Sequence, residues 1–358
     1  MLACVRARAH DANVPVATLN LPAKVLGRYP QYGARLVARG YLRRVLMAAA
    51  RITPQAPPAS RRDRIDDIAS THVDPEAIHD FRVALRRLRS WLRAWRPLLR
   101  ASVSPDVERE LQRLSRLAGR ARDLDVQQLH LADIIARGPR ERQAGAQWLA
   151  RRVAVKRRRA HEALAAALPR DMAPAAARLS AQLRHDRLRI EPDRAKSQAT
   201  MATALAALLV AQSTRVADRL RRVRTRIAAA HRARIAVKRL RYLLESLEQW
   251  SLDARLATRR LTRIQQDLGE LHDLQLLAAQ DAVQPATRPR RNGASARARV
   301  VLRQHVQADI AAAFRRAKEA VRARAVERAL APVRRVVRSL SKVTAATTGT
   351  ERKPRSPR

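Results

Sequence analysis

A single cysteine, Cys4, stands among 358 residues. That excludes an intrachain disulfide framework and a site built on paired thiolates. Aromatic residues make up 3% of the chain. A platform for single-stranded nucleic acid needs rings as well as charge, so this scarcity argues against one. Glycine falls to 9 residues, and the GxxxxGK[ST], HExxH, GxSxG and dinucleotide-loop patterns are all missing. So are the Glu-x-x-His pairs of di-iron bundles. Asp123, Asp125 and Asp273 are the acids nearest the basic blocks, yet they form no recognisable catalytic pair. The composition gives no support for an enzyme, and no cofactor or metal is expected. No apolar run approaches the roughly 18–20 residues that span a bilayer. The longest, MATALAALLVA at 201–211, suits a buried helix segment. The N-terminus has no hydrophobic signal core, so a soluble, cytoplasmic protein is the expectation. Acid is scarce as well: 31 Asp+Glu face 75 Lys+Arg, a formal net charge of +44. Such a field concentrates polyanions, whether nucleic acid, anionic lipid or phosphate polymer.

What is abundant is Ala, Leu and Arg, all strong helix formers, and an all-α chain follows. Residues 1–32 hold Pro15, Pro22 and Pro30 without a sustained period and read as an irregular extension. A first helix is expected over 33–52, ending before Pro54, with TPQAPPASRRD (53–63) as a linker. Asp74-Pro75-Glu76 and Ser104-Pro105-Asp106 each combine an N-cap, a proline at the first helical position and an acid in the first turn. The first opens a helix to about Arg96, the second a helix to about Gly119, followed by RDLDVQQLHLADIIA. Gly138-Pro139 opens a long helix to Pro169, and a shorter one covers about 174–188. IEPDRAKS (190–197) divides the chain into halves, 33–189 and 195–342. In the second half helices are expected near 197–224, over HRARIAVKRLRYLLESL, at 253–268 and, after VQPATRPRRNGAS, up to about 341. The basic tail 343–358 reads as disordered.

The two halves repeat each other. IHDFRVALRRLRSWLR (78–93) matches AHRARIAVKRLRYLLE (230–245): His79 and His231 lie 152 apart, as do Arg82 and Arg234, Arg86 and Lys238, Arg87 and Arg239, and Arg89 and Arg241. A second block, LQRLSRLAGRARDLD (111–125), matches LTRIQQDLGELHDLQ (261–275) at an offset of 150, pairing Arg113 with Arg263 and Gly119 with Gly269. A near-constant offset over two blocks means a duplicated helical unit, which two pseudo-symmetric bundles would pack together.

On a wheel of about 100° per residue, Arg82, Arg86, Arg89 and Arg93 fall within roughly 80° of His79. Phe81, Leu85, Leu88, Leu92 and Trp95 take the other side. His231, Arg234, Lys238 and Arg241 repeat the stripe, backed by Ala233, Val237, Leu240, Leu244 and Leu247; Glu245 stands where the first copy has Arg93. A charge run is usually only a solvated face, and Arg109, Arg113, Arg116, Arg120 and Arg215, Arg219, Arg222, Arg226 make others. The His-led stripe differs by recurring in register and lacking compensating acids. Crowded cations invite an anion, and the planar fork of arginine grips phosphate oxygens in pairs. Trp91 and Trp95 lie on or beside the apolar face, where core packing explains them better than base stacking.

These paired blocks, with the LxxLxxxLGxxxDL pattern after each, resemble the CHAD domain, a helical domain named for its histidines, over about residues 33–342. The resemblance implies two helical bundles around a basic groove or pore that binds inorganic polyphosphate, without catalysis, with targeting to polyphosphate granules as its cellular setting. It carries the family's His and basic positions onto His79, Arg82, Arg86 and Arg89, and onto His231, Arg234, Lys238 and Arg241; Arg93, Arg113, Arg116, Arg120 and Arg263 join them as candidates from the neighbouring stripes. Departures are Arg232 opposite Asp80 and Glu270 opposite Arg120. The ExExK pattern of tunnel-type triphosphate hydrolases is missing, which favours a binding module. The alternative is a nucleic-acid-binding, nucleoid-associated protein, for which charge alone suffices. Oligomeric state is not encoded in any of these features.

Overall fold

The computed structural model describes residues 19, 21–52, 75–184, 199–282 and 293–350. Among them there is helix and no strand, as the composition requires. A four-residue turn of helix, α1 (Ala23–Leu26), leads into α2 (Pro30–Ala50), α3 (Pro75–Ala94), a short α4 (Arg96–Leu99), α5 (Pro105–Arg137) and α6 (Arg140–Ala167). A π-helical turn, Leu168–Met172, joins α6 to α7 (Ala173–Arg184). The second half supplies α8 (Met201–Val223), α9 (Ala229–Glu245), α10 (Leu252–Ala282), α11 (Gly293–Ala320) and α12 (Ala323–Thr350).

The starts follow the local chemistry. Ser104 caps α5, its hydroxyl accepting from the Val107 N–H at 3.5 Å, with Pro105 next and Asp106 and Glu108 in the first turn. Thr200 caps α8 by accepting from the Thr203 N–H at 3.2 Å. These side chains satisfy N–H groups that have no partner within the helix. Asp74, expected to cap α3, and the linkers 53–63 and 190–197 lie outside the described residues.

Several boundaries differ from expectation. Gly119 does not end a helix: α5 runs 33 residues, about 50 Å, straight through it, and α10 likewise passes Gly269. One glycine weakens a helix by only about 1 kcal/mol, and buried Leu111, Leu114, Ala118, Ala121, Leu124 and Leu131 hold α5 to the core on either side. The α-helix α6 ends at Ala167, close to the expected stop at Pro169, and a π-helical turn carries the chain on into α7. Residues 21–32 are not an extension. Leu21, Val25 and Leu26 are buried, the Leu21 N–H donates to the Ser246 carbonyl at 2.8 Å, and the Arg28 carbonyl accepts from Met201 N–H at 2.8 Å. At the other end α12 continues to Thr350, past residue 343 where a structureless tail was expected.

The packing order runs alike in both halves. Helix α3 packs on α2 and α5, and α9 packs on α8 and α10; α5 packs on α6 as α10 packs on α11. The halves meet where α3 touches α9, α5 touches α10 and α6 touches α11. Gly145 permits the last approach, since a Cβ there would lie 2.5 Å from the Ala298 carbonyl oxygen. One continuous apolar core joins all of it, and α3, α5, α9 and α10 come together at the centre.

Candidate anion-binding cavity

Helix α3 buries Phe81, Leu85, Leu88, Leu92 and Trp95, the face that the wheel assigns to the core. Trp91 joins them: its indole N–H donates to the Ala34 carbonyl at 2.8 Å and its ring lies 5.6 Å from that of Trp95. Both tryptophans are core, as expected. Helix α9 buries Ala233, Val237, Leu240 and Leu244 in the same way, and Leu247 just beyond its end is buried too. The opposite faces therefore look outward from two anchored helices. Where they converge they line a cavity of about 610 Å³.

From α3 come His79, Arg82 and Arg86, and from α9 come Arg234, Lys238 and Arg241. Helix α5 adds Arg122, Asp123 and His130, α10 adds Glu270 and Asp273, and α11 adds Asp309 and Arg316. Val126, Leu129, Leu274 and Leu277 contribute apolar wall. Six of the candidate residues thus share one space. Arg122, His130 and Arg316 also line it and were not singled out from the sequence.

The cavity is not the acid-free groove that a single helix wheel suggests. Arg82 pairs with Asp123 at 3.0 Å, Arg241 with Glu245 at 3.2 Å, and Arg316 with Glu270 at 2.8 Å. Arg86, Arg122, Arg234 and Lys238 have no ion-pair partner among the described residues. Arg86 lies over the Tyr242 ring at 5.6 Å, and the buried Nε atoms of Arg86, Arg122 and Arg234 make no hydrogen bond.

These four cations are held at a disadvantage. Burial, with the charges of Arg82, Arg241 and Arg234 added, pushes Arg86 down to about 10. Burial first, then Arg86, Arg234 and Arg82, holds Lys238 well below the ordinary lysine range. Burial also lowers Arg122 and Arg234, with Arg82 opposing the charge of each. An anion placed among them would satisfy open donors and relieve the mutual repulsion at once.

The remaining candidates stand elsewhere. His231 is not on the cavity. It is exposed, its ring 4.9 Å from that of His272. Burial, then Arg234, lowers its pKa, and His272 is pushed down to about 3 by burial, then Arg234. The two histidines of the repeat therefore do different things, because His272 stands where the first copy has Arg122. Arg113 is taken up by Glu110, at 2.9 Å, and by Asp171. Arg116, Arg120 and Arg263 are exposed and outside the cavity. Arg89 and Arg93 lie farther along α3, also outside it. No cluster of His, Cys, Asp and Glu among the described residues is suited to hold a metal ion.

No helix among the described residues is long and apolar enough to cross a membrane. No curated protein matches the chain. A crystal structure of the CHAD domain from the plant Ricinus communis superposes with a TM-score of 0.60 at 23% identity, covering 86% of this chain and 98% of that one. PptA from Streptomyces chartreusis gives a TM-score of 0.55 at 18% identity, over 80% of this chain and 97% of that one. At such identities the likeness is one of fold. The sequence itself matches the CHAD domain profile over residues 59–280, a span that contains α3, α5, α9 and nearly all of α10, the helices that converge on the cavity. The chain belongs to the CHAD domain family.

Proposed function

We propose that this protein binds inorganic polyphosphate in the central cavity, as a binding module rather than a hydrolase, with a setting on cytoplasmic polyphosphate granules. One observation carries the reading: four cations from three helices, Arg86, Arg122, Arg234 and Lys238, surround one space without ion-pair partners. A linear polyphosphate has charge at every unit and no base to be read, so a ring of partly dehydrated donors suffices for it. The cavity volume of about 610 Å³ falls within the range that encloses a small ligand. It accommodates a segment of flexible chain, whereas a duplex touches only its rim. The leucine and valine wall lowers the local dielectric and strengthens each charge–phosphate contact.

The second reading, nucleic-acid binding, draws on the many exposed arginines outside the cavity, among them Arg109, Arg116, Arg120 and Arg222. Competition separates the two. Long-chain polyphosphate and duplex DNA are offered at matched phosphate concentration and physiological salt. Polyphosphate is expected to displace DNA; the reverse order overturns the reading. Log affinity should fall linearly with log salt, by about 0.7 for each phosphate neutralised, so four open cations predict a slope near 3. A flat salt response is incompatible with the cavity as an electrostatic site.

The depressed lysine gives a pH signature. A phosphate beside Lys238 favours its charged form, so its pKa is higher in the complex than in the free protein. Affinity is then greatest below the free-protein value and falls as pH rises through it toward the bound value. Arginine at the same place stays charged across that window. Lys238→Arg should therefore keep binding at neutral pH and flatten the decline that the wild type shows below the ordinary lysine value near 10.4. A decline of equal slope in both proteins would clear Lys238 of contact with the ligand.

A further inference from the structure

The repeat is broken at one point of the α3/α9 contact. Arg87 of α3 donates from Nε to Glu245 of α9 at 2.7 Å, and both are buried. The other Glu245 carboxylate oxygen meets Arg241 at 3.2 Å. The first-half counterparts of Glu245 and Tyr242, each 152 residues back, are Arg93 and Ser90, so neither the carboxylate nor the ring is duplicated. Tyr242 follows Arg241 on α9 and is 2% exposed. Three guanidinium groups lie over its ring: Arg241 at 5.0 Å from the centroid, Arg86 at 5.6 Å and Arg87 at 6.0 Å. All three arginines line the cavity, and the ring stands behind them.

Two kinds of support hold the arginines of this wall, and they leave different things free. Asp123 on Arg82 and Glu270 on Arg316 occupy N–H donors that a phosphate would need. An aromatic ring attracts the charge of a guanidinium and leaves its N–H donors to another acceptor. Arg86 has the ring and no carboxylate, and its buried Nε makes no hydrogen bond. Arg241 has the ring as well as Glu245, and its Nε is also without a bond. Core packing alone gives no reason for a tyrosine here. Its hydroxyl is buried with no hydrogen bond, whereas a buried tyrosine ordinarily finds a partner.

We infer that Tyr242 is a positioning residue for anion binding, its ring holding Arg86 and Arg241 on the cavity wall with N–H donors open to phosphate. Tyr242 touches no ligand and acts through the two arginines. Because Ser90 carries no ring, this support exists on one side of the α3/α9 contact only. The inference rests on the proposed binding in the cavity.

Its test separates the electrons of the ring from its shape. Binding of long-chain polyphosphate is measured by calorimetry for the wild type, Tyr242→Leu, Tyr242→Phe and a variant with a ring-fluorinated phenylalanine at position 242. Fluorination withdraws charge from the face of the ring and scarcely alters its size. Tyr242→Leu should lower affinity by about tenfold, the scale of a dehydrated cation–π contact. Tyr242→Phe keeps the ring and should recover that loss. The fluorinated variant should bind about tenfold more weakly than Tyr242→Phe at an unchanged melting temperature. The same fluorinated residue at Phe81, a core ring of α3 with no arginine over it among the described residues, should change affinity by less than about threefold. Should Tyr242→Leu fail to fold, the fluorinated variant carries the test alone. Equal affinity in Tyr242→Phe and its fluorinated form, or an equal loss at Phe81, overturns the positioning role while cavity binding stands. A wild type that does not bind removes the cavity reading, and the role of Tyr242 with it.

Discussion

Changing Arg234 to Gln together with Lys238 to Met should lower long-chain polyphosphate affinity at least a hundredfold and raise the melting temperature. Both side chains face the cavity, and neither has an ion-pair partner to release before it can bind. A hydrogen bond to a charged group contributes about 1.5–3 kcal/mol, so two lost contacts remove about 3–6 kcal/mol. Each 1.4 kcal/mol or so is tenfold, and coupling between neighbours pulls the sum toward its lower end. Arg82 is a poorer target, because Asp123 already holds it at 3.0 Å. The stability gain has the opposite origin. Burial and three arginines disfavour the charged form of Lys238 in the folded protein. That penalty is fully present below the folded-state pKa and disappears as pH rises toward the unfolded value near 10.4. The gain in melting temperature should therefore shrink as pH rises toward the unfolded value near 10.4. Calorimetry and thermal denaturation read the two effects on the same samples. Affinity within threefold of wild type would remove the cavity as the binding site.

Much of this was legible in the chain. Apolar spacing placed Phe81, Leu85, Leu88, Leu92 and Trp95 in the core, and they are there. The offset of 152 pointed to two helices that contribute like residues to one place, and Arg82, Arg86, Arg234, Lys238 and Arg241 share a cavity. A wheel shows one helix and not what faces it. The acids that temper the stripe, Asp123, Glu270, Asp273 and Asp309, come from α5, α10 and α11, so their opposition is a tertiary fact. The partners of Arg113 show the same divide: Glu110 is three residues away and visible in sequence, while Asp171 is brought by the π turn after α6. Arg122 carries its own signal in the sequence, since it falls in the second matched block beside Asp123. His231 stays off the cavity, and His272, which stands where the first copy has Arg122, marks where its surroundings differ.

The break in the repeat also sets the second large effect. Glu245→Leu should lower the unfolding free energy by about 3–5 kcal/mol, the range for removing one partner of a buried ion pair. Glu245 is 1% exposed, accepts from Arg87 Nε at 2.7 Å, and lies 3.2 Å from Arg241. It ends α9, where the helix dipole favours a cation, so the carboxylate is tolerated through its two arginines and not through its position. Leucine fills much of the volume but leaves Arg87 charged and buried without that partner. Arg87→Leu combined with Glu245→Leu should recover most of the loss, because replacing both members of a buried pair by apolar groups is often neutral. Recovery stays incomplete, since Arg241 also loses its carboxylate. Arg93→Gln, at the exposed counterpart of Glu245, should shift stability by no more than about 0.5 kcal/mol. Urea denaturation of the four proteins measures the set. A loss below about 1 kcal/mol in Glu245→Leu, or a double variant no more stable than the single, would show that Arg87 and Glu245 do not hold α3 to α9 as a pair.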